Sequence, residues 1–455
     1  MPRQPPSIAN PQLVVAIDFG TTGTAVSWAL TSKPRRVHSI KTWPRVQGTN
    51  QATKVPQAIA RIDNGIWGFD ALDALDAITN GVNEPETAGQ YLKNCFIVPL
   101  SDPEKTRTYL SRYLNYLYSH IRDTIDPQLV GEWDSTYIWT VFNEPNGWMP
   151  EVIECFEEAI SETNFRLDDL RAIRFVRANP SLLAMARVYG ENRRLKTLER
   201  AFANTTRWLG SMSAVLVDNG IRWLETDQEI LVAEIGVTRP LRDVRCYSAC
   251  ETNNIIRHLT IQTTRIDGSD RIDEQVQRTV VGDILQTINC SAAIDANSDA
   301  TDARVKCNHA QAVANRLVTL EAYITEKHAF RGVNGNTTQF EITDTNGQTV
   351  TFTKNITEPL EQAFSGLCDQ VWRDIERHLQ ADRQPRHDRP RTIVLTGGLS
   401  NNGFVQRRLQ ERAETLWPPT DIFLPPEPEL SVSKGLVWYA LDKIRGKRRF
   451  WLATV

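Results

Sequence analysis

Residues 13–30, LVVAIDFGTTGTAVSWAL, constrain the fold of this chain more than any other stretch. The apolar run 13–17 reads as a buried strand. It ends in Asp18, turns through Gly20-Thr21-Thr22-Gly23 and resumes as a second strand over 25–30. Two glycines permit unusual backbone angles and close approach. Successive N–H groups in such a turn can form a nest for phosphate oxygens, with the threonine hydroxyls adding hydrogen bonds. Asp18 at the strand end is placed to hold Mg²⁺ through water. The alternative is a plain hairpin whose Gly and Thr merely suit the turn.

A chain of 455 residues exceeds one simple core, so two or more subdomains are expected. The net charge of −3 lacks the basic footprint of a nucleic-acid binder, and no nucleic-acid partner is expected. No run reaches the ~18 apolar residues of a membrane span, so no transmembrane segment is expected. Residues 1–12 carry prolines and no apolar core of a signal peptide, and read as a disordered lead-in. Seven scattered cysteines fit a reducing compartment, hence a cytoplasmic location. Residues 444–455 form a basic and aromatic tail, read as a solvated helix end.

Along the chain, strands are expected over 36–40 and 54–62, and a helix over 71–78. Leu110, Leu114, Leu117 and Ile121 recur at helical spacing. A strand over 136–142 precedes a helix starting near Pro150, a residue suited to a first turn. Strands over 172–176, 214–217 and 229–235 follow, and this alternation with helices indicates an α/β architecture. Residues 241–300 carry no clear pattern. Cys246, Cys250 and His258 lack the further ligands of a zinc site. Asn346-Gly347 between apolar alternations marks a hairpin, and residues 360–375 have a long helical period. Near the C-terminus a strand over 392–395 runs into Thr396-Gly397-Gly398-Leu399-Ser400-Asn401-Asn402 and then a helix, whose start offers free N–H groups to an anion. Gly435 lies inside a closing helix over 432–441 and is expected to pack against that turn.

Taken together, VVAIDFGTTGTAVSWAL and TIVLTGGLSNNGFVQRRL resemble two signature segments of the actin-like ATPase superfamily. The nearer resemblance is to the divergent heat-shock-seventy-like proteins of filamentous fungi. It extends to Lys54-Val55-Pro56 with Trp67-Gly68, to Tyr91-Leu92-Lys93, and to Lys434-Gly435-Leu436-Val437-Trp438-Tyr439-Ala440-Leu441. The resemblance implies an α/β fold of two RNase-H-like lobes, over 13–205 and 206–443, around a nucleotide cleft and without a peptide-binding domain. It implies ATP or ADP with Mg²⁺ as cofactors. It also assigns roles. Asp18 would hold hydrated Mg²⁺, and Gly20, Thr21, Thr22 and Gly23 would wrap the phosphates. Lys93 would be the catalytic lysine and Asp218 would orient water. Gly397 and Gly398 would pass beneath the adenosine, with Asn401 in place of an adenine-stacking arginine.

The middle segments depart from that pattern. The second phosphate loop, normally rich in glycine, is expected at Asp218-Asn219-Gly220-Ile221-Arg222-Trp223, with one glycine. A later glycine-rich segment falls at Tyr247-Ser248-Ala249-Cys250-Glu251, with none. Asn179-Pro180 carries an amide where a carboxylate near Mg²⁺ is usual. Phosphoryl transfer depends on positioning and charge stabilisation, so these losses cut hydrolysis more than binding. The expected function is an ATP-binding protein with weak hydrolysis and a chaperone-like or partner-regulating role toward an unidentified protein client. The alternatives are a pseudo-ATPase interaction scaffold and, on the same fold, a small-molecule kinase.

Overall fold

The computed structural model describes residues 11–20, 23–45, 48–60, 66–72, 74, 91–93, 103–143, 150–166, 171–176, 229–235, 242–250, 255–262, 269–292, 310–311, 314, 317–318, 321–332, 338–343, 349–354, 356–381, 392–416, 420–425 and 427–445. The chain is built on two five-stranded paths. The first comprises β1 (Leu13–Phe19), β2 (Gly23–Leu30), β3 (His38–Ser39), β10 (Ile138–Asn143) and β11 (Arg171–Val176). Its order is β3-β2-β1-β10-β11, and a short strand β6 (Val55–Pro56) also pairs with β2. β1, β2 and β3 are successively antiparallel, while β10 and β11 add in parallel on the other side of β1.

The second sheet repeats this plan. β12 (Glu229–Ile235), β13 (Arg242–Cys250) and β14 (Ile255–Gln262) are successively antiparallel. β17 (Thr392–Thr396) and β18 (Asp421–Phe423) then add in parallel beside β12. The order β14-β13-β12-β17-β18 thus matches the first sheet strand for strand. Tyr247 to Cys250, expected as a degenerate glycine loop, lie in β13: Tyr247 and Ser248 pair with both β12 and β14, and Ala249 and Cys250 pair with β14. Smaller sheets complete the set among the described residues: β4 (Thr42–Arg45) with β5 (Gly48–Gln51), β7 (Ala58–Ala60) between β8 (Ile66–Trp67) and β9 (Tyr91–Lys93), and the expected hairpin β15 (Thr338–Thr343) with β16 (Thr349–Lys354).

Both faces of β1 are buried, which is why its sequence is a continuous apolar run. Leu13, Val15, Ile17 and Phe19 pack with Leu110, Leu114, Leu117 and Ile121 of α1 (Pro103–Ile125) and with Phe156 and Ile160 of α2 (Pro150–Ser161). Each of the four α1 side chains is fully buried, worth about 1.5–3 kcal/mol apiece. Val14 and Ala16 face the other way, onto Leu436, Val437 and Leu441 of the closing helix α7 (Ser431–Ile444). The last helix therefore packs on the first sheet, although its residues fall in the expected second lobe. A chain of hydroxyls fixes it there: Ser27 Oγ on β2 lies 2.8 Å from both Ser39 Oγ and Ser433 Oγ.

The second sheet buries Ala233, Ile235, Ile393 and Leu395 against α3 (Ser269–Ala292), α5 (Thr357–Ala381) and α6 (Gly403–Glu414). α4 (Glu321–Ala329) is tied to α3 by a buried polar group. Lys327 Nζ donates to both carboxylate oxygens of Asp273 at 2.8 and 2.9 Å, and Tyr323 Oη donates to the same carboxylate at 2.7 Å. Burial, then the adjacent carboxylate, pushes the Tyr323 hydroxyl far above its ordinary pKa, so it stays a donor. Among the described residues, no helix is long and apolar enough to cross a membrane, and Cys155 and Cys368 are buried thiols outside any disulfide.

Candidate functional site

Strand β1 delivers Asp18 to its C-terminal end, one residue before the pairing Phe19↔Thr24 closes the ladder. The side chain follows the alternation of Val14 and Ala16, and Asp18 is only 5 % exposed. A carboxylate that buried requires a partner. Lys54 supplies it: its Nζ donates to Asp18 Oδ2 at 2.8 Å. Lys54 stands immediately before β6, whose register Gly23↔Pro56 and Thr24↔Val55 lays this segment against the opening turn. Thr24 Oγ1 in turn accepts from the buried Tyr113 hydroxyl at 3.0 Å, so the base of the turn is anchored to α1.

The glycines of the turn have a packing reason. A Cβ at Gly23 would stand 2.9 Å from the Val55 carbonyl oxygen and 3.3 Å from Lys54 Cβ. At Gly20 it would stand 3.0 Å from the Gly23 carbonyl oxygen and 3.9 Å from Lys54 Nζ. The space kept open by these glycines is occupied by the protein's own backbone and by Lys54. Thr21 and Thr22 lie outside the described residues.

The second group of expected residues follows β17. Gly397 has φ 89° and ψ 166°, and a Cβ there would stand 2.4 Å from the Ile235 carbonyl oxygen. Its glycine is demanded by the close passage of β12. Residues 398–401 form a 3₁₀ turn, and Gly398 and Asn401 are exposed. Asn401 Nδ2 donates to Glu429 Oε2 at 2.6 Å, and Gly397 N donates to the Pro428 carbonyl at 3.2 Å. The start of α6 is capped from within. Asn402 Oδ1 accepts from Phe404 N at 3.0 Å and Val405 N at 3.2 Å, so two of the N–H groups the sequence offers to an anion are already satisfied. Thr396 Oγ1, at the end of β17, is buried with no hydrogen-bond partner among the described residues.

Glu427 links the two groups to the rest of the chain. It has φ 54°, the only left-handed backbone of a non-glycine residue among those described. Its carboxylate accepts from Lys41 and, at 2.6 Å, from Lys434 of α7. Partial burial pushes the Glu427 carboxyl up, but hydrogen bonds and charge from the two lysines outweigh it and hold the group below its ordinary range. No hydrogen bond or ion pair among the described residues joins Asp18, Gly20, Gly23 or Lys54 directly to Gly397, Gly398 or Asn401. Elsewhere, Lys41 on the N-terminal side reaches Glu427, and Ser27 of β2 reaches Ser433 of α7.

The other expected residues fall as follows. Lys93 is on β9 with its backbone opposite Ala58, two residues beyond Pro56; its side chain lies outside the described residues. Asp218 lies outside them as well. The repeated strand order exposes a residue the sequence reading missed. β12 holds in the second sheet the place of β1 in the first, and Glu234 is sixth of seven in β12 as Asp18 is sixth of seven in β1. The parallel reads Asp18-Phe19-Gly20 beside Glu234-Ile235-Gly236.

Mg²⁺ does not fit the described residues. It prefers near-octahedral oxygen ligands. Here the Asp18 carboxylate already receives an ammonium at 2.8 Å, and no group of three His, Cys, Asp or Glu among the described residues is arranged to hold a metal. What the arrangement offers chemically is a cation, Lys54, at a tight turn. No protein-family model matches this chain, and no curated protein matches it.

Proposed function

We propose that the chain is an actin-like, heat-shock-seventy-like protein of two RNase-H-like lobes that binds ADP or ATP in the cytoplasm and hydrolyses it weakly or not at all. Its role is to regulate or chaperone a protein partner. The observation that carries this reading is the repetition of one strand order in two sheets, each with an acid at the sixth position of its central strand and a glycine two residues later. Such a repeat supports a reading in which the ends of the two equivalent strands face a ligand, because ligands of α/β sheets gather at strand ends. Weak hydrolysis follows from what stands at those ends. The sequence after β12 reads Gly236-Val237-Thr238-Arg239-Pro240, and a proline offers no N–H to a γ-phosphate. At the end of β1 the acid is neutralised by Lys54.

The pseudo-ATPase scaffold is favoured by a different observation: the spaces at Gly20, Gly23 and Gly397 are filled by the protein itself. Thermal unfolding with ADP and with ATP separates the two. A ligand at about 100 times its dissociation constant stabilises by about 2.7 kcal/mol. A clear rise in midpoint at millimolar nucleotide, with slow or no phosphate release, supports the nucleotide reading. No shift and no calorimetric heat refutes it in favour of the scaffold. Turnover at chaperone-like rates that Asp18→Ala abolishes refutes the weak-hydrolysis half.

A further inference from the structure

We infer that Lys54 occupies the charge position that a divalent cation would need at Asp18, so that the turn after β1 takes nucleotide phosphates without Mg²⁺. This rests on the nucleotide reading above and goes beyond it. Lys54 Nζ is 2.8 Å from Asp18 Oδ2, and among the described residues Asp18 is its only partner. An ammonium has three donors, so two remain. The Lys54 side chain is 31 % exposed while that of Asp18 is 6 % exposed, so the pair presents its cation, not its anion, to solvent.

The position is fixed by the fold. β6 pairs to β2 at Gly23 and Thr24, and the Lys54 stem fills the space beside Gly23, with Cβ 3.3 Å from where a Gly23 side chain would begin. The ammonium lies 3.9 Å from the corresponding point at Gly20, against the backbone of the turn. A lysine held this way binds phosphate as a point charge. A divalent ion bridging Asp18 to a phosphate would have to displace it or share the carboxylate with a like charge.

The test is calorimetric titration of the full chain with ADP and with ATP, once in excess EDTA and once in excess MgCl₂. For the native chain the two dissociation constants agree within about threefold. In Lys54→Met, affinity in EDTA falls by about tenfold or more, since a charge-assisted contact is lost, and Lys54→Arg retains most of it. Nucleotide binding to the native chain only in Mg²⁺ overturns the inference and leaves the nucleotide reading standing. Absence of binding under both conditions overturns both. The native comparison decides the matter even if Lys54→Met fails to fold, because it uses no variant.

Discussion

Gly397→Ala tests whether the second glycine motif is there for the fold. Gly397 has φ 89° and ψ 166°, a region open essentially to glycine alone, in which a side-chain-bearing residue costs about 1–3 kcal/mol. The new methyl would also stand 2.4 Å from the Ile235 carbonyl oxygen and 2.8 Å from its carbon. Real Cβ contacts stay beyond 3.0 Å, so the two chain segments must part by at least about 0.6 Å immediately past Glu234↔Thr396, the last pair of the parallel β12–β17 ladder. Overpacking of that kind costs about 1–3 kcal/mol. The sum, about 2–6 kcal/mol, is a large part of the 5–15 kcal/mol of a typical protein. Gly398→Ala is the control one residue away: exposed, with φ outside the left-handed range, it is expected within about 0.5 kcal/mol of native. Urea unfolding followed by tryptophan fluorescence measures both. If Gly397→Ala unfolds within 0.5 kcal/mol of native, or if Gly398→Ala costs as much, the close-passage argument is wrong.

Asp273→Asn removes the carboxylate that faces the buried ammonium of Lys327, 6 % exposed, and is expected to cost about 3–5 kcal/mol in urea unfolding; Lys327→Met added to it recovers part of that loss, and no recovery would show that the two groups are not coupled. At Glu427 two effects oppose each other. Gln keeps the left-handed backbone and loses the two lysine contacts, at about 0.5–2 kcal/mol given their partial exposure, whereas Gly also relieves about 1–2 kcal/mol of backbone strain. Glu427→Gly should therefore unfold at higher urea than Glu427→Gln. Because the folded Glu427 carboxyl sits below its ordinary value of 4.5, its stabilisation is complete above that pH and is lost as the pH falls through the folded value. The gap between native and Glu427→Gln should accordingly close in acid, and a gap unchanged down to pH 3 would contradict the lysine contacts.

The parts of the fold legible in the sequence are those set by local periodicity. Leu110, Leu114, Leu117 and Ile121 define α1 because a helix returns every third or fourth residue to one face, and each is fully buried. The run 13–17 signals a strand covered on both faces, as β1 is. Asn402 runs the other way: the helix start expected to offer free N–H groups is capped by its side chain, which accepts from Phe404 N and Val405 N. The candidate site was less legible because its members meet by pairing across the chain. Lys54 stands out only as part of a Lys-Val-Pro segment; its role depends on β6 reaching back to Gly23, and no local pattern encodes that. The same holds for β12. Ala214 to Val217 with Asp218-Asn219-Gly220, which the sequence suggests as a strand entering a phosphate turn, lie outside the described residues. Only the pairing of β12 with β13 and β17 gives Glu234 the place that Asp18 has in β1. A glutamate followed by isoleucine and a single glycine carries too little turn chemistry to be recognised alone.

The glycines and the charges of the candidate site carry different information. At Gly20, Gly23 and Gly397 the space of the missing side chain is taken by Gly23, Val55 and Ile235 backbone atoms, so these glycines record how closely strands pass one another. Counting glycines in a loop therefore measures the tightness of the fold before it measures affinity for a phosphate. The Asp18–Lys54 pair is different. Nothing in the strand pairing requires a buried acid at position 18, where Ala16 and Val14 on the same face are apolar, and desolvating a carboxylate is costly until a cation answers it. A chain that needed only the hairpin would be more stable with an apolar residue there. A pair at the mouth of a turn, with the cation outward, is the arrangement expected if the charge has a ligand to meet, as proposed for Lys54. Ligand affinity should then follow Lys54, and stability should follow the glycines.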